Sequence, residues 1–244
     1  MRIPRIHTPQ PLAQGQRLAL DDNAANHVAR VLRMQAGHSI RLFNGDGLDY
    51  PAVLTDVGKR QVEVEIGEPV AAASESPLRI HLGQTMSRGD RMDYAVQKAT
   101  ELGVHAITPL HSERCEVRLK GERQEKRESH WQQVAISACE QSGRAAIPKV
   151  HPVQPLEDWV RSVQADLRLV LHHHSAAPLE LSTPPASVAL LIGPEGGLTE
   201  TEVALAQEAG FLPVAFGNRV FRTETAPVAA ISILQWLWGD FRTP

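Results

Sequence analysis

Cysteine is scarce here: Cys115 and Cys139 are the only two in 244 residues. Their separation fits neither a metal knuckle nor a redox pair, so they read as free thiols of a reducing cytoplasm. Long apolar runs are also lacking. The longest, Ala226 to Trp238, is too short to span a bilayer and contains Ser232 and Gln235. The first ten residues hold two prolines and no apolar stretch, which is not the pattern of a signal peptide. Repeats and low-complexity tracts are absent. What remains is an ordinary soluble composition, 42% hydrophobic and 22% charged, which excludes disordered and fibrous chains. The length suits one large domain or two smaller ones, with a core that needs no disulfide or metal staple.

Charge of one sign is missing as well. The net charge of −3 gives no overall attraction to nucleic acid. The distribution is less even: residues 79–150 carry 12 Lys/Arg against 9 Asp/Glu, and residues 151–244 carry 5 against 10. A near-neutral total therefore leaves room for a basic face, although a well-mixed surface gives the same totals.

The rhythm of the chain changes once. Up to about residue 70, short alternating runs (39–43, 51–54, 61–66) and the turn Asn44-Gly45-Asp46-Gly47 predict a small β unit, a barrel. Only Ala24 to Met34 has helical spacing there. Val70 to Pro77 reads as a linker, which places domain limits at 1–72 and 73–244. Strands are then predicted at 78–83, 104–110, 167–172, 188–192 and 212–216. Helices are predicted at 91–102, 124–141, 199–209 and 227–238. This alternation predicts an α/β fold with a mostly parallel sheet.

Two loops stand out. Leu191-Ile192-Gly193-Pro194-Glu195-Gly196-Gly197 leaves a buried strand and meets a helix whose start is fixed by a capping box, Thr199 with Glu202. Ligands of open α/β sheets sit beyond the strand carboxyl ends, and glycines there permit close approach. The spacing is wrong for G-x-G-x-x-G, and no Lys-Ser/Thr follows as in a P-loop. Alone, the loop is equally a plain glycine turn. The second loop, Phe216-Gly217-Asn218-Arg219-Val220-Phe221-Arg222-Thr223-Glu224-Thr225, also ends at a helix start. Arg222 and Glu224 lie at its edge as site residues or as a surface ion pair. The helix after it is apolar nearly all round, which predicts burial in a core or a subunit interface.

These blocks together resemble the SPOUT methyltransferases, and more narrowly the RsmE family. The resemblance rests on Gly193–Gly197, Phe221–Ala226, His27–Arg33, Phe43–Gly47, Gln97–Val104 and Glu140–Arg144, in that family's order. Phe221 stands where the family usually carries Leu, and the run His172-His173-His174 is less usual. The resemblance implies a PUA-like β-barrel followed by an α/β domain with a trefoil knot. It further implies a cytoplasmic homodimer that uses S-adenosylmethionine to methylate N3 of a uridine in 16S ribosomal RNA of the small subunit. The cofactor-binding residues it implies are Leu171, His172, Leu191, Ile192, Gly193, Glu195, Gly196, Gly197, Phe216, Gly217, Val220, Phe221, Arg222 and Thr225. A SPOUT enzyme with another RNA target, or a non-catalytic RNA-binding assembly factor, shares much of this pattern.

Uridine N3 carries a proton in neutral water, so the nucleophile forms only when that proton leaves. A guanidinium near a flanking carbonyl oxygen stabilises the resulting anion. Arg222 is the expected catalytic residue, with Glu224 as a candidate base and Glu195 as an architectural or cofactor-side group. His27, Arg30 and Arg33, at spacings of three on one helical side, suit phosphates or a solvated face. Arg88 and Arg91, in the strand–helix joint of the basic third, and Arg144 complete the expected RNA-binding set. No metal is expected: on a strand only alternate members of the histidine run share a face.

Overall fold

In the structure, a computed structural model that describes residues 3–58, 61–72, 75–172 and 183–242, the chain divides into two compact units. The first comprises Met1–Glu75 with Ile136–Ile147, and the second Ser76–Ala135 with Pro148–Pro244.

The first unit is built from β1 (Arg5–His7), β2 (Arg17–Ala19), α1 (Asp22–Asn26), β3 (Ser39–Phe43), β4 (Leu48–Val57), β5 (Val62–Ile66) and β6 (Val70–Ala71). The strands run in the order β1-β3-β4-β5-β2, with β6 added on β4. Only β1–β3 is parallel among these pairs. Alternation decides the faces: Val62, Val64 and Ile66 point into the core while Glu65 is exposed. The β3–β4 turn is held by its own side chains. Asn44 Oδ1 accepts from the Asp46 N–H at 3.2 Å, and Asp46 Oδ1 from the Leu48 N–H at 2.9 Å.

The helix expected over 24–34 is α-helical only as far as Asn26. From His27 to Val31 the turn widens to a π form, with the Leu32 N–H reaching the His27 carbonyl at 2.9 Å. The extra residue per turn rotates the side chains beyond it. Val28 is buried, whereas Val31 is 65% exposed. Arg33 lies past the turn with φ of 51°. His27, Arg30 and Arg33 therefore do not form the single helical row that their spacing suggested.

Ile136–Ile147 pack with this unit, which no local signal announces. Arg5 ties them in. Its guanidinium pairs with Asp49 at 2.6 Å, donates to the carbonyls of Cys139 (2.8 Å) and Arg144 (3.2 Å), and lies over the Phe43 ring. Both charges of the pair are almost fully buried, so each depends on the other.

The second unit contains β7 (Arg79–Thr85), α2 (Asp90–Glu101), β8 (Ala106–His111), most of α3 (Glu122–Ser142), β9 (Lys149–Val150), β10 (Gln154–Pro155), α4 (Leu156–Ser162), β11 (Leu167–Leu171), β12 (Ser187–Ile192), α5 (Glu200–Glu208), β13 (Leu212–Val214) and α6 (Thr225–Trp238). The sheet order is β10-β8-β7-β12-β11-β13, with β9 on β8, and every pairing is parallel. The expected α/β architecture is thus present. β12 is apolar on both faces because both are covered: Leu190 and Ile192 face one core cluster, Ala189 and Leu191 the other. Gly83 of β7 lies under Trp159 of α4, where a Cβ would stand 2.6 Å from the indole.

α6 is not buried all round. Ala226, Ala230, Ile231 and Leu234 are buried in the core cluster that includes β7 and α2, but Trp236 is 54% exposed. Gln235, inside the same helix, donates to the Leu102 carbonyl and accepts from Ser76, so its polar end is satisfied. Among the described residues no helix is long and apolar enough to cross a membrane.

Candidate cofactor and methyl-transfer site

The carboxyl ends of β11, β12 and β13 open on one cavity of about 570 Å³. Its central piece is the loop from Gly193 to Leu198. The capping box is present in full: Thr199 Oγ1 accepts from the Glu202 N–H, and the Thr199 N–H donates to Glu202 Oε2 at 2.8 Å. Gly193 fits a tight spot, since a Cβ would lie 3.0 Å from Leu198 Cγ and 3.2 Å from its backbone nitrogen.

Buried polar groups fasten the loops to the sheet. Thr85 donates to the Ile192 carbonyl at 2.8 Å, and Thr223 to the Gly193 carbonyl at 2.9 Å. Gln84 in turn donates to Thr223 at 3.1 Å. The two glycine-bearing loops are therefore held to each other and to β7. Glu195 anchors the first loop from outside: it accepts from the Arg88 N–H (3.2 Å) and from Arg91 (2.9 Å). Burial raises its pKa, but the hydrogen bonds and the Arg91 charge outweigh that and hold it below the ordinary carboxylate value. This gives Glu195 an architectural role. Arg114, from the segment after β8, donates to the Gly196 carbonyl at 3.1 Å.

The cavity gathers Leu171, His172, Ile192, Gly193, Glu195, Gly196, Gly197, Phe216, Gly217, Val220, Phe221, Arg222 and Glu224. Leu191 and Thr225 do not line it. Leu191 points the opposite way from Ile192, into the core beside Trp159, and Thr225 is the first residue of α6. Arg91, expected at an RNA surface, does line it, as do Arg114, Arg219 and Thr223. Nothing local in the sequence marks Arg114. Gln84-Thr85 offered only a weak signal, two adjacent polar residues at the carboxyl end of a strand that also carries Arg79 and His81. His173 and His174 lie outside the described residues. Among the described residues no group of three or more His, Cys, Asp or Glu is placed to hold a metal.

Arg222 and Glu224 form no ion pair with each other. The Arg222 carbonyl accepts from the Thr225 and Ala226 N–H groups at 2.9 Å, which fixes its backbone. Its side chain is exposed at the cavity with no partner among the described residues. Glu224 precedes α6, and its Oε2 is buried without a hydrogen bond among the described residues. A buried oxygen of this kind is costly unless a donor meets it.

The other expected RNA contacts divide by unit. In the second, Arg88 pairs with Glu116 at 2.5 Å and Arg91 with Glu195. In the first, Arg144 pairs with Glu75 and its side chain is only 12% exposed. His27 stands 3.6 Å from Glu140. Arg30 and Arg33 are exposed, with no side-chain partner among the described residues.

The RNA methyltransferase domain family matches residues 74–235, and the RNA methyltransferase PUA domain family matches residues 20–67. The ribosomal RNA small subunit methyltransferase E of Buchnera aphidicola is 34% identical over 99% of this chain and 96% of its own. The chain belongs to the RsmE family. Solved members share the whole fold. The RsmE protein of Neisseria gonorrhoeae, bound to S-adenosylmethionine, is 43% identical with a TM-score of 0.92, over 98% of this chain and 100% of that one. A Legionella pneumophila methyltransferase in complex with the same cofactor is 42% identical with a TM-score of 0.94, over 99% and 100%. The RsmE assignment makes the parallel-sheet unit a SPOUT methyltransferase domain and the N-terminal unit PUA-like.

Proposed function

We propose that this chain transfers a methyl group from S-adenosylmethionine to N3 of a uridine in 16S ribosomal RNA of the small subunit, in the cytoplasm. One observation carries the reading: a guanidinium with no partner among the described residues, Arg222, and a carboxylate, Glu224, both line a glycine-bearing cavity at the strand ends. The volume is within the range of cofactor sites. The residues fit the cofactor, because Gly196 and Gly197 bring bare backbone to the cavity and Ile192, Phe216 and Phe221 supply apolar surface for a purine ring. When bound, S-adenosylmethionine supplies a methyl group on a sulfonium centre.

The chain's own residues deal with the nucleophile. The Glu224 carboxylate, which lines the cavity, accepts the N3 proton as the uracil ring enters. Arg222 faces the negative charge that spreads onto a flanking carbonyl oxygen, and its fixed backbone pre-positions the fork. Glu195, held by Arg88 and Arg91, keeps the glycine loop in place. RNA is held first by Arg30 and Arg33, which need give up no carboxylate, and by His27. Arg88, Arg91 and Arg144 join by exchanging theirs for phosphate. We assign residues 1–72 to an RNA-binding domain and 73–244 to a methyl-transfer domain that also supplies Arg88, Arg91 and Arg144 to RNA binding, with the chain from β12 through α6 forming the knot and α6 at the interface of a homodimer.

The reading is tested by incubating the protein and S-adenosylmethionine with small subunits from a strain lacking this enzyme, then analysing nucleosides by mass spectrometry. N3-methyluridine at one position is expected. A ribose-methylated nucleoside, or no product, would overturn it.

A further inference from the structure

The block Glu140–Arg144, which the resemblance marks out, lies in the first unit and takes no part in the cavity just described. There Ser137, Glu140 and Gln141 line a groove of about 300 Å³ together with Ile3, His27 and Leu32. Ile3 and Leu32 give it apolar surface, 43% and 38% exposed. Glu140 gives it a carboxylate whose side chain is only 13% exposed. Its Oε1 accepts from the His7 N–H at 3.0 Å, and its Oε2 stands 3.6 Å from His27 Nδ1. A carboxylate has about four acceptor positions, so Glu140 keeps acceptor capacity for a ligand.

The chain beside the groove is irregular. The π turn His27–Val31 is followed by Arg33, the only non-glycine with positive φ among the described residues. Such conformations cost free energy and cluster at functional sites. Here they present Arg30, Val31, Leu32 and Arg33 to solvent as a group, two cations flanking two apolar side chains.

We propose that this groove takes one unpaired base of the RNA, guanine in preference, with Glu140 accepting from its Watson–Crick edge and Arg30 and Arg33 holding neighbouring phosphates. The inference rests on the RNA-methyltransferase reading above and adds a base-reading subsite to it. Apolar surface next to cations is the chemistry of an unstacked nucleobase between phosphates. A carboxylate selects among bases by donors. Guanine offers N1–H and N2–H side by side, cytosine and adenine one amino group each. Uracil flanks its single N–H with two carbonyl oxygens, which the carboxylate repels. The groove therefore reads a base other than the uridine that is methylated.

The test uses the full chain with S-adenosylmethionine and labelled single-stranded RNA hexamers, all uridine or with one central guanosine, followed by fluorescence anisotropy. The guanosine hexamer should bind about five-fold tighter or better. Glu140→Gln, which still accepts from the His7 N–H, should abolish the preference. Leu32→Ala, at an exposed position, should weaken the guanosine complex without altering its salt dependence. Arg30→Ala/Arg33→Ala should instead flatten the salt slope by about 1.4. Equal affinity for both hexamers, or a preference that survives Glu140→Gln, overturns the subsite. So does failure of both hexamers to bind while small-subunit RNA is still methylated, which leaves the methyltransferase reading standing. Absence of that methylation defeats the methyltransferase reading itself.

Discussion

Arg222 combines a fixed backbone with a side chain that has no partner among the described residues, which suits the electrostatic role proposed for it. Arg222→Ala should bind cofactor and RNA within a few-fold of the parent but lose roughly 100-fold in single-turnover rate. Arg222→Lys should recover part of this, since it keeps the charge and loses the planar fork. Raising the pH should also narrow the deficit, because more of the uridine is then already deprotonated. A mutant that keeps its rate and loses only cofactor affinity would make Arg222 a binding residue. The glycines divide in a similar way. A Cβ on Gly196 meets only Arg114, at 3.4 Å, so Gly196→Val should fold normally by circular dichroism yet show no S-adenosylmethionine binding by calorimetry. Gly193→Ala crowds Leu198 at 3.0–3.4 Å and should lower the melting temperature modestly instead. Unchanged cofactor affinity in Gly196→Val would detach this loop from the cofactor.

At the scale of elements, β7, β8 and α4 meet at His81. Its Nε2 lies 2.8 Å from Thr108 Oγ1, its ring stacks on His151 and meets the edge of Trp159, and His105 is near enough to repel it. Burial first, then His151 and His105, lowers its pKa from 6.5 to about 4. The folded chain therefore stays neutral where the unfolded chain takes a proton. Stability is full above pH 6.5 and falls as pH drops toward 4, by about 3 kcal/mol at the lower end. Urea midpoints at pH 7 and 4.5 should show this drop, and His81→Gln should shrink it. His7, His111 and His151, also lowered by burial, act in the same direction and keep the drop from vanishing. An equal drop in His81→Gln would move the effect elsewhere. The same scale shows what a sequence can reveal. β7, β8, β11, β12 and β13 and the capped start of α5 were legible because period and capping are local, whereas β9 and β10, with two residues each, were not. α4 has seven residues, too few to establish a period. The π turn at His27 depends on how Val28 packs. The glycine loops were legible as residue types at strand ends, whereas Arg114 reaches the cavity from a distant segment. Ile136–Ile147 join the first unit through Arg5, a contact more than a hundred residues away in sequence.

For the molecule as a whole, the proposed dimer rests on the outer face of α6. Trp236, Leu237 and Phe241 are 54%, 37% and 44% exposed near the end of the chain, with Arg242 lying over the Trp236 ring. Scattered apolar side chains are normal on a surface, but three large ones at one helix end, two of them aromatic, are not a solvated face. The opposite face of the same helix is committed to the core through Ile231 and Leu234, and Gln235 is bonded to Leu102 and Ser76. α6 is thus rigidly held, and its exposed side cannot turn inward. A second copy of the chain offering the same patch would cover it by two-fold symmetry. Light scattering at micromolar concentration should give twice the 26.8 kDa chain mass. Trp236→Glu should raise the dimer dissociation constant about 30-fold or more, the effect of removing one aromatic anchor. Because Trp236 is solvent-facing in the single chain, the variant should keep its melting temperature when compared as monomers. A parent protein that is monomeric at micromolar concentration, or a Trp236→Glu variant that dimerises as well as the parent, would remove α6 from any interface.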